Sequence, residues 1–311
     1  MPRIEDFGAA TNVAVTILVD NRADLIVRST DDIQYFTKKP LLAEHGFAAL
    51  IDLRDAGVRV LWDAGVSRVA LMENMARMEI DPTGIDAIAL SHGHWDHTGA
   101  MLEVIEAVQA GRPAGERVPL VAHPGALREH WAIDRQGKVH GPIHAPPVAK
   151  WEEAGAEIVP SEGPYRLGPG CWTTGYVPRK TFEQAGVPKS LYTKEGEELI
   201  PDYVNDDQAI AIHVQGKGLV IVAGCAHAGI LNTIYYAQEI SGVDRVWAAL
   251  GGFHLARTPE DEVQRTIDGI AALDPALVVP EHCTGFNAIR RFADQMPGAF
   301  SLGLVGATYF F

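Results

Sequence analysis

The chain has 311 residues, 47% of them hydrophobic, and a formal charge of −14 from 26 basic and 40 acidic side chains. This suits a globular protein with a substantial core, in one large domain or two, and disfavours non-specific nucleic-acid binding. No apolar run approaches a bilayer span, the N-terminus lacks a secretory pattern, and Cys171, Cys225 and Cys283 are too scattered for a disulfide framework, so a cytoplasmic protein is expected.

Residues 12–19 are β-rich and predict a first strand ending at Asp20-Asn21. Glu44-His45-Gly46 precedes a second strand over 47–53, and His45 reads there as a capping or surface residue. A third strand over 58–62 closes with Asp63-Ala64-Gly65, which is either a plain turn or part of a site. A helix is expected over 67–78, then a turn at Asp81-Pro82-Thr83-Gly84 and a short buried strand over 85–90.

That strand runs into Ser91-His92-Gly93-His94-Trp95-Asp96-His97-Thr98-Gly99-Ala100, and Leu102, Ile105 and Val108 mark a helix beyond it. Three imidazoles and a carboxylate therefore share a strand-to-helix turn. A turn converges side chains that a regular strand would send to opposite faces. Imidazole with carboxylate suits zinc, manganese or iron, and the lack of cysteine in the cluster argues against a closed structural zinc site. A histidine-rich surface loop is the bland alternative, but His-x-His-x-Asp-His is a rare order.

Residues 119–122 predict a strand ending at His123-Pro124. The stretch 129–147, with Trp131, His140, His144 and three prolines, and the stretch 179–207 lack a strand-and-helix rhythm. Both are expected to be loops or inserts that cover the pocket, with His130, His140 and His144 solvated. Strands over 208–214 and 219–223 flank a hairpin turn, and helices over 232–240 and 261–273 alternate with strands over 246–250 and 276–280. Three of these strands each run into a segment with one histidine: His227, His254 and His282. Chemistry gathers at strand ends in α/β folds, so a metal site is the better reading than three unrelated core histidines.

The segment from His92 to His97 resembles the His-x-His-x-Asp-His motif of the metallo-β-lactamase superfamily of metal-dependent hydrolases. The resemblance implies one α/β domain over 1–311, a four-layer αββα sandwich of two similar halves with two divalent metal ions at their shared edge. In that family Asp63 would support the site through hydrogen bonds, and His123, at a strand end that lines the site there, would be a pocket residue for substrate binding. The segment Thr173 to Arg179 stands where a Gly-His-Thr type ligand is usual but has no histidine, and Gly224-Cys225 stands where Gly-Asp is usual. With these departures the chain resembles the branch named for 7,8-dihydropterin-6-methyl-4-(β-D-ribofuranosyl)-aminobenzene-5'-phosphate synthase. The shared blocks are 44–46, 91–99, 175–179, 224–229, 251–255 and 282–285.

The resemblance implies that His92, His94 and His227 hold the first ion, and Asp96, His97 and His282 the second. Zinc is expected, with manganese or iron as alternatives. Cys225 is either a thiolate ligand or a buried inert thiol. His254 is a ligand, a general acid or a partner of a ligand. Such a metal pair, about 3.5–4 Å apart, would share a hydroxide that attacks a phosphoester or ester-like bond of a small molecule. Asp96 would orient the hydroxide, and Arg179 would grip an anionic group, unless it is an ordinary surface arginine. The rival is the branch's own condensation of a pterin diphosphate with a ribofuranosyl-aminobenzene phosphate, in which the metals would stabilise diphosphate departure. Trp131, Tyr192 and Tyr203 are candidates for stacking a pterin. A third reading is metal storage or sensing without turnover. The sequence predicts no nucleic-acid or membrane partner and leaves oligomeric state open.

Overall fold

The structure is a computed structural model that describes residues 3–183 and 190–311. Part of the second predicted insert, 184–189, therefore lies outside the described residues.

Apolar residues on alternate positions build two sheets. One has eight strands in the order Ile33–Tyr35, Ala307–Phe310, Val13–Val19, Ala48–Leu53, Val58–Trp62, Ala87–Ala89, Val118–Ala122 and Ala156–Pro160. The other has six: Tyr165–Gly168, Cys171–Thr173, Ala209–Val214, Gly218–Ala223, Val246–Gly252 and Leu277–Glu281. Strand alternation decides which layer each side chain enters. In Gly218–Ala223, Val220 and Val222 point between the sheets, where they meet Val15, Ile17, Ile51 and Trp62. Leu219 and Ile221 point outward, under the helices Ile230–Ser241, Glu260–Ala272 and Phe286–Gln295, with Ile234, Ile267 and Phe292. On the opposite side Leu50 and Leu61 pack with Leu71, Val104 and Ile105 of the helices Arg68–Arg77 and Met101–Gln109. The result is a four-layer αββα sandwich. A strand with a layer on each face has no exposed side, which is why Gly218–Ala223 is buried at every position.

Each sheet contains parallel neighbours. Val58–Trp62 pairs with Ala87–Ala89, and Ala87–Ala89 with Val118–Ala122. In the other sheet Gly218–Ala223 pairs with Val246–Gly252, and Val246–Gly252 with Leu277–Glu281. Parallel pairing brings the carboxyl ends of these strands to one edge. Boundaries differ slightly from the sequence expectation: the strand predicted over 85–90 is Ala87–Ala89, and the helix predicted over 232–240 begins at Ile230.

The expectation of loops at 129–147 and 179–207 is corrected. His130–Ile133 and Val139–His144 from the first stretch join Leu191–Glu195 and Glu198–Pro201 from the second in a four-stranded antiparallel sheet. Thr193 stands opposite His130, and Leu191 opposite Ala132. The strands are short, mostly half-buried or exposed, and in Val139–His144 carry a proline, so no period-two signal survives in either segment alone. Among the described residues no helix is long and apolar enough to cross a membrane.

Candidate metal centre

The strand Ala87–Ala89 delivers Ser91 and His92 to the sandwich edge, and His94 heads a one-turn helix, Trp95–Thr98, that carries Asp96 and His97. Backbone bonds lash this turn to the neighbouring strand end: Ala64 N–H donates to the His97 carbonyl at 2.7 Å, and Gly99 N–H to the Gly65 carbonyl at 2.8 Å. Gly99 must lack a Cβ, because one would collide with the Val66 carbonyl. Asp63 anchors the cluster from behind. Its Oδ1 accepts from Ser91 N–H at 2.7 Å, and its Oδ2 lies 2.7 Å from both Ser91 Oγ and His97 Nδ1. Ser91 Oγ is also 2.9 Å from His92 Nδ1. The hydrogen-bonded Nδ1 atoms leave Nε2 of His92 and His97 to face the centre.

The second half of the chain closes the ring. His227, beyond Gly218–Ala223, has its ring centroid 4.8 Å from that of His92 and 4.9 Å from that of His94. His282, beyond Leu277–Glu281, brings Nε2 to 3.4 Å from Asp96 Oδ2, and its ring is 5.2 Å from that of His97. The strand Val13–Val19 steadies it: Asp20 Oδ1 accepts from His282 N–H at 2.7 Å, and Asn21 Nδ2 donates to its carbonyl at 3.1 Å. Cys225 lies between the two groups, with Sγ 3.2 Å from His97 Nε2. Its sulfur is within 4.8 Å of ligand atoms in the pairs His92/His227, His97/His282 and His254/Cys283. The His254 ring lies against that of His227, 4.1 Å between centroids and tilted by 43°.

The structure thus brings together His92, His94, Asp96, His97, His227, His254 and His282. Arg179 and His123 stand apart from the ring. The Arg179 guanidinium donates to Asn205 Oδ1 at 2.8 Å and the Tyr203 carbonyl at 2.6 Å, pinning that loop. His123 lines a cavity of about 200 Å³ with Arg128, Glu162, Tyr203 and Asp206, and its Nδ1 accepts from Gly125 N–H.

Several participants carried little or no signal. His45, read as a capping or surface residue, has a half-exposed side chain whose Nε2 is 3.2 Å from Asp96 Oδ2 at the open side. Cys283 was conspicuous only as the neighbour of His282. The expectation of solvated histidines at 130 and 144 is corrected: His130 is buried and His144 half-buried, its Nε2 3.1 Å from Thr98 Oγ1, because the insert sheet presses both against the centre. His140 is exposed and pairs with Asp134 at 2.8 Å. The two histidines that are buried or half-buried on neighbouring insert strands, His130 and His144, would be a sequence clue only if the strands' pairing were known.

Burial and charge set the protonation states. Burial, then the neighbouring histidines, push His92 and His227 well below the ordinary imidazole value, and burial with His130 lowers His94 to about 3. Burial opposes a charge on His97 too, but Asp63 and Asp96 outweigh it and raise it to about 9. Asp96 is buried, which disfavours its charge, yet His97, His282 and His45 hold it far below the usual carboxylate range. The neutral imidazoles of His92, His94 and His227 near one ionised carboxylate form a donor set suited to a divalent cation.

The residues fit a metal on a further ground. His92 Nε2, His282 Nε2, His254 Nδ1 and both ring nitrogens of His227 are buried without a hydrogen-bond partner among the described residues. Each such atom costs about 1–3 kcal/mol if left bare. The backbone is also strained at this edge: Asp63, Ala226, His254 and His282 take φ of 62°, 52°, 48° and 47°. Non-glycine residues are held there only when the surroundings over-determine them, and such positions cluster at active sites.

Residues 58–158 match the family model of the β-lactamase superfamily domain. Over 288 residues the chain is 30% identical to the 7,8-dihydropterin-6-methyl-4-(β-D-ribofuranosyl)-aminobenzene-5'-phosphate synthase of Methanocaldococcus jannaschii, covering 88% of this chain and 95% of that protein. It is 32% identical over 279 residues to an uncharacterised protein of the same organism, covering 90% and 93%. A solved metal-dependent hydrolase of the β-lactamase superfamily aligns with a TM-score of 0.72 at 22% identity, covering 95% of this chain and 98% of that one. Zinc-bound PqqB from Methylobacterium extorquens aligns with a TM-score of 0.51 at 15% identity, covering 95% and 99%.

Proposed function

The chain belongs to the metallo-β-lactamase superfamily, in the branch of the dihydropterin-ribofuranosylaminobenzene phosphate synthase, and on that premise we propose that it is a metal-dependent hydrolase of a phosphoester or ester-like bond in a small molecule. The observation that carries this reading is the convergence of bare, buried imidazole nitrogens on one ionised carboxylate. His92, His94 and His227 would hold one divalent ion, and Asp96, His97 and His282 a second, with Cys225 between them. Zinc suits the nitrogen-rich set with an adjacent thiol, and manganese or iron remain alternatives. Bound metals supply Lewis acidity and a water of lowered pKa.

The protein's own groups do the rest. Asp63 locks His97 in one tautomer, and Asp96 holds its charge toward the substrate side. His254, beside His227 and near Cys283, is placed to hand a proton to a leaving group. His45 stands at the mouth, where a substrate enters. The cavity lined by His123 and Arg128 would take the rest of an anionic or pterin-like substrate. A cytoplasmic setting suits three free cysteines.

A second reading is favoured by the identity to the synthase over 88% of this chain. In a condensation that releases diphosphate, the same residues would grip the diphosphate and no water would react. Turnover assays on a phosphodiester, a phosphomonoester, a lactone and a β-lactam, each with zinc-, manganese- and ferrous-loaded protein, separate the two. Metal-dependent cleavage of one class establishes the hydrolase. A blank panel from fully metallated protein, with diphosphate released from a pterin diphosphate in the presence of the amine partner, establishes the condensation.

A further inference from the structure

The insert sheet contributes a buried histidine and carboxylate that the metal ligands do not include. His130 opens the first insert strand and Asp202 follows the last, so the two come from strands on either side of Leu191–Glu195. Only 3% of His130 and 6% of Asp202 is exposed, and His130 Nδ1 lies 2.9 Å from Asp202 Oδ2. The carboxylate is itself held, with Asp202 N–H donating to the Leu191 carbonyl at 3.0 Å and Asp202 Oδ1 accepting from Val204 N–H at 2.8 Å. With Nδ1–H given to Asp202, His130 keeps a lone pair on Nε2. That atom is buried and has no partner among the described residues.

Beside it stands His94. Its ring is 5.4 Å from that of His130 at an interplanar angle of 69°, and ligand atoms of His94, His130 and Asp202 all lie within 4.8 Å of one another. His94 Nε2 is likewise buried and bare. A metal-bound histidine nearly always gives its other N–H to a carboxylate, carbonyl or water, which fixes the ring and strengthens the ligand. His97 has Asp63 in that role, and His92 has Ser91. Residue 93 is shaped for the same contact: a Cβ there would stand 2.8 Å from His130 Nε2, so only glycine lets the insert come this close.

We propose that His130, backed by Asp202, is a positioning residue of the metal centre: it receives the Nε2–H of His94 through one water, and so aims His94 Nδ1 at the first ion. The two inserts thereby become part of the centre instead of a cover over it. This inference rests on the metal-centre reading above.

The test measures metal affinity in place of turnover. Cobalt is titrated into metal-stripped wild type, His130→Leu, His130→Gln and Asp202→Asn, with a chromophoric chelator as competitor and the visible ligand-field spectrum as a second readout. Calorimetric melting of each metal-stripped protein controls for folding. His130→Leu is expected to weaken one of two ions by roughly 10–100-fold and to shift its bands, while the other ion is held as in wild type. His130→Gln, whose amide oxygen still accepts, should recover most of that loss, and Asp202→Asn should fall between. Two ions held by His130→Leu with wild-type affinity and spectrum would overturn the inference, as would equal loss of both ions with a lowered melting point. Should His130→Leu not fold, unchanged affinity in Asp202→Asn overturns it instead. A wild type that binds no ion at all would sink the metal-centre reading, and this inference with it.

Discussion

The two halves of the metal centre are built by different means. In the first half His92, His94, Asp96 and His97 are close in sequence, and their geometry is set by short-range bonds to Ser91, Asp63 and the 64–65 backbone. In the second half Cys225, His227, His254 and His282 come from three strand ends, and sheet register places them: Ala223 pairs with Gly251, and Gly252 with Glu281. A local cluster survives small shifts of the fold around it. A cluster assembled by register depends on every strand between its members.

The largest expected effect comes from deleting a ligand in either half. His92→Ala and His282→Ala should each lower metal-dependent turnover by at least about 100-fold, the loss of several kcal/mol of charge stabilisation. Elemental analysis should find about one ion where the parent holds two. If His282→Ala keeps both ions, the second half is not part of the centre.

A smaller effect is expected from the support behind the ligands. Asp63→Asn preserves shape but removes the charge facing His97 Nδ1, and should weaken one ion by roughly 10–100-fold in chelator competition. The comparison is sharpened by Asp20→Asn, which touches the backbone N–H of His282 instead of a ring nitrogen and should cost less.

A pH effect follows from the same pair. Folding raises His97 from 6.5 to about 9, so the folded state binds this proton more tightly than the unfolded chain. The stabilisation is present in full below the unfolded value and is lost as pH rises through about 9. Melting of the metal-stripped protein should therefore fall across that window, and Asp63→Asn should flatten the fall. A melting point that does not change over this range would mean that Asp63 and Asp96 do not hold His97 charged.

The smallest effect contrasts the site edge with the core. Burial pushes the Cys171 thiol up to about 12, in a strand with apolar neighbours and no cation to favour a thiolate. In native protein it should stay unmodified by iodoacetamide at neutral pH, as read by mass spectrometry, and become reactive only on unfolding.

How much of this was legible varied with the range of the interaction concerned. Strands such as Val13–Val19 and Gly218–Ala223 announce themselves because alternate apolar residues serve two different layers. The insert sheet does not. Its hydrogen-bond partners lie far apart in the chain, and its strands are too short and too exposed to leave a pattern. His45 and His130 each reach the centre through tertiary contact, which neither ligand spacing nor strand period marks.

By itself the sequence determined most of the core strands and helices and the His92-to-His97 cluster, because residue period and ligand spacing act over a few residues; the αββα layering was implied by the family resemblance that the cluster carries. It also placed His227, His254 and His282 at strand ends. Only the tertiary structure decided that these ends share one edge with the cluster, that Cys225 lies between the two ligand groups, and that the inserts close on His94. Those outcomes depend on strand register and on contacts across the whole chain, where a shift of one residue turns a ligand away from the centre.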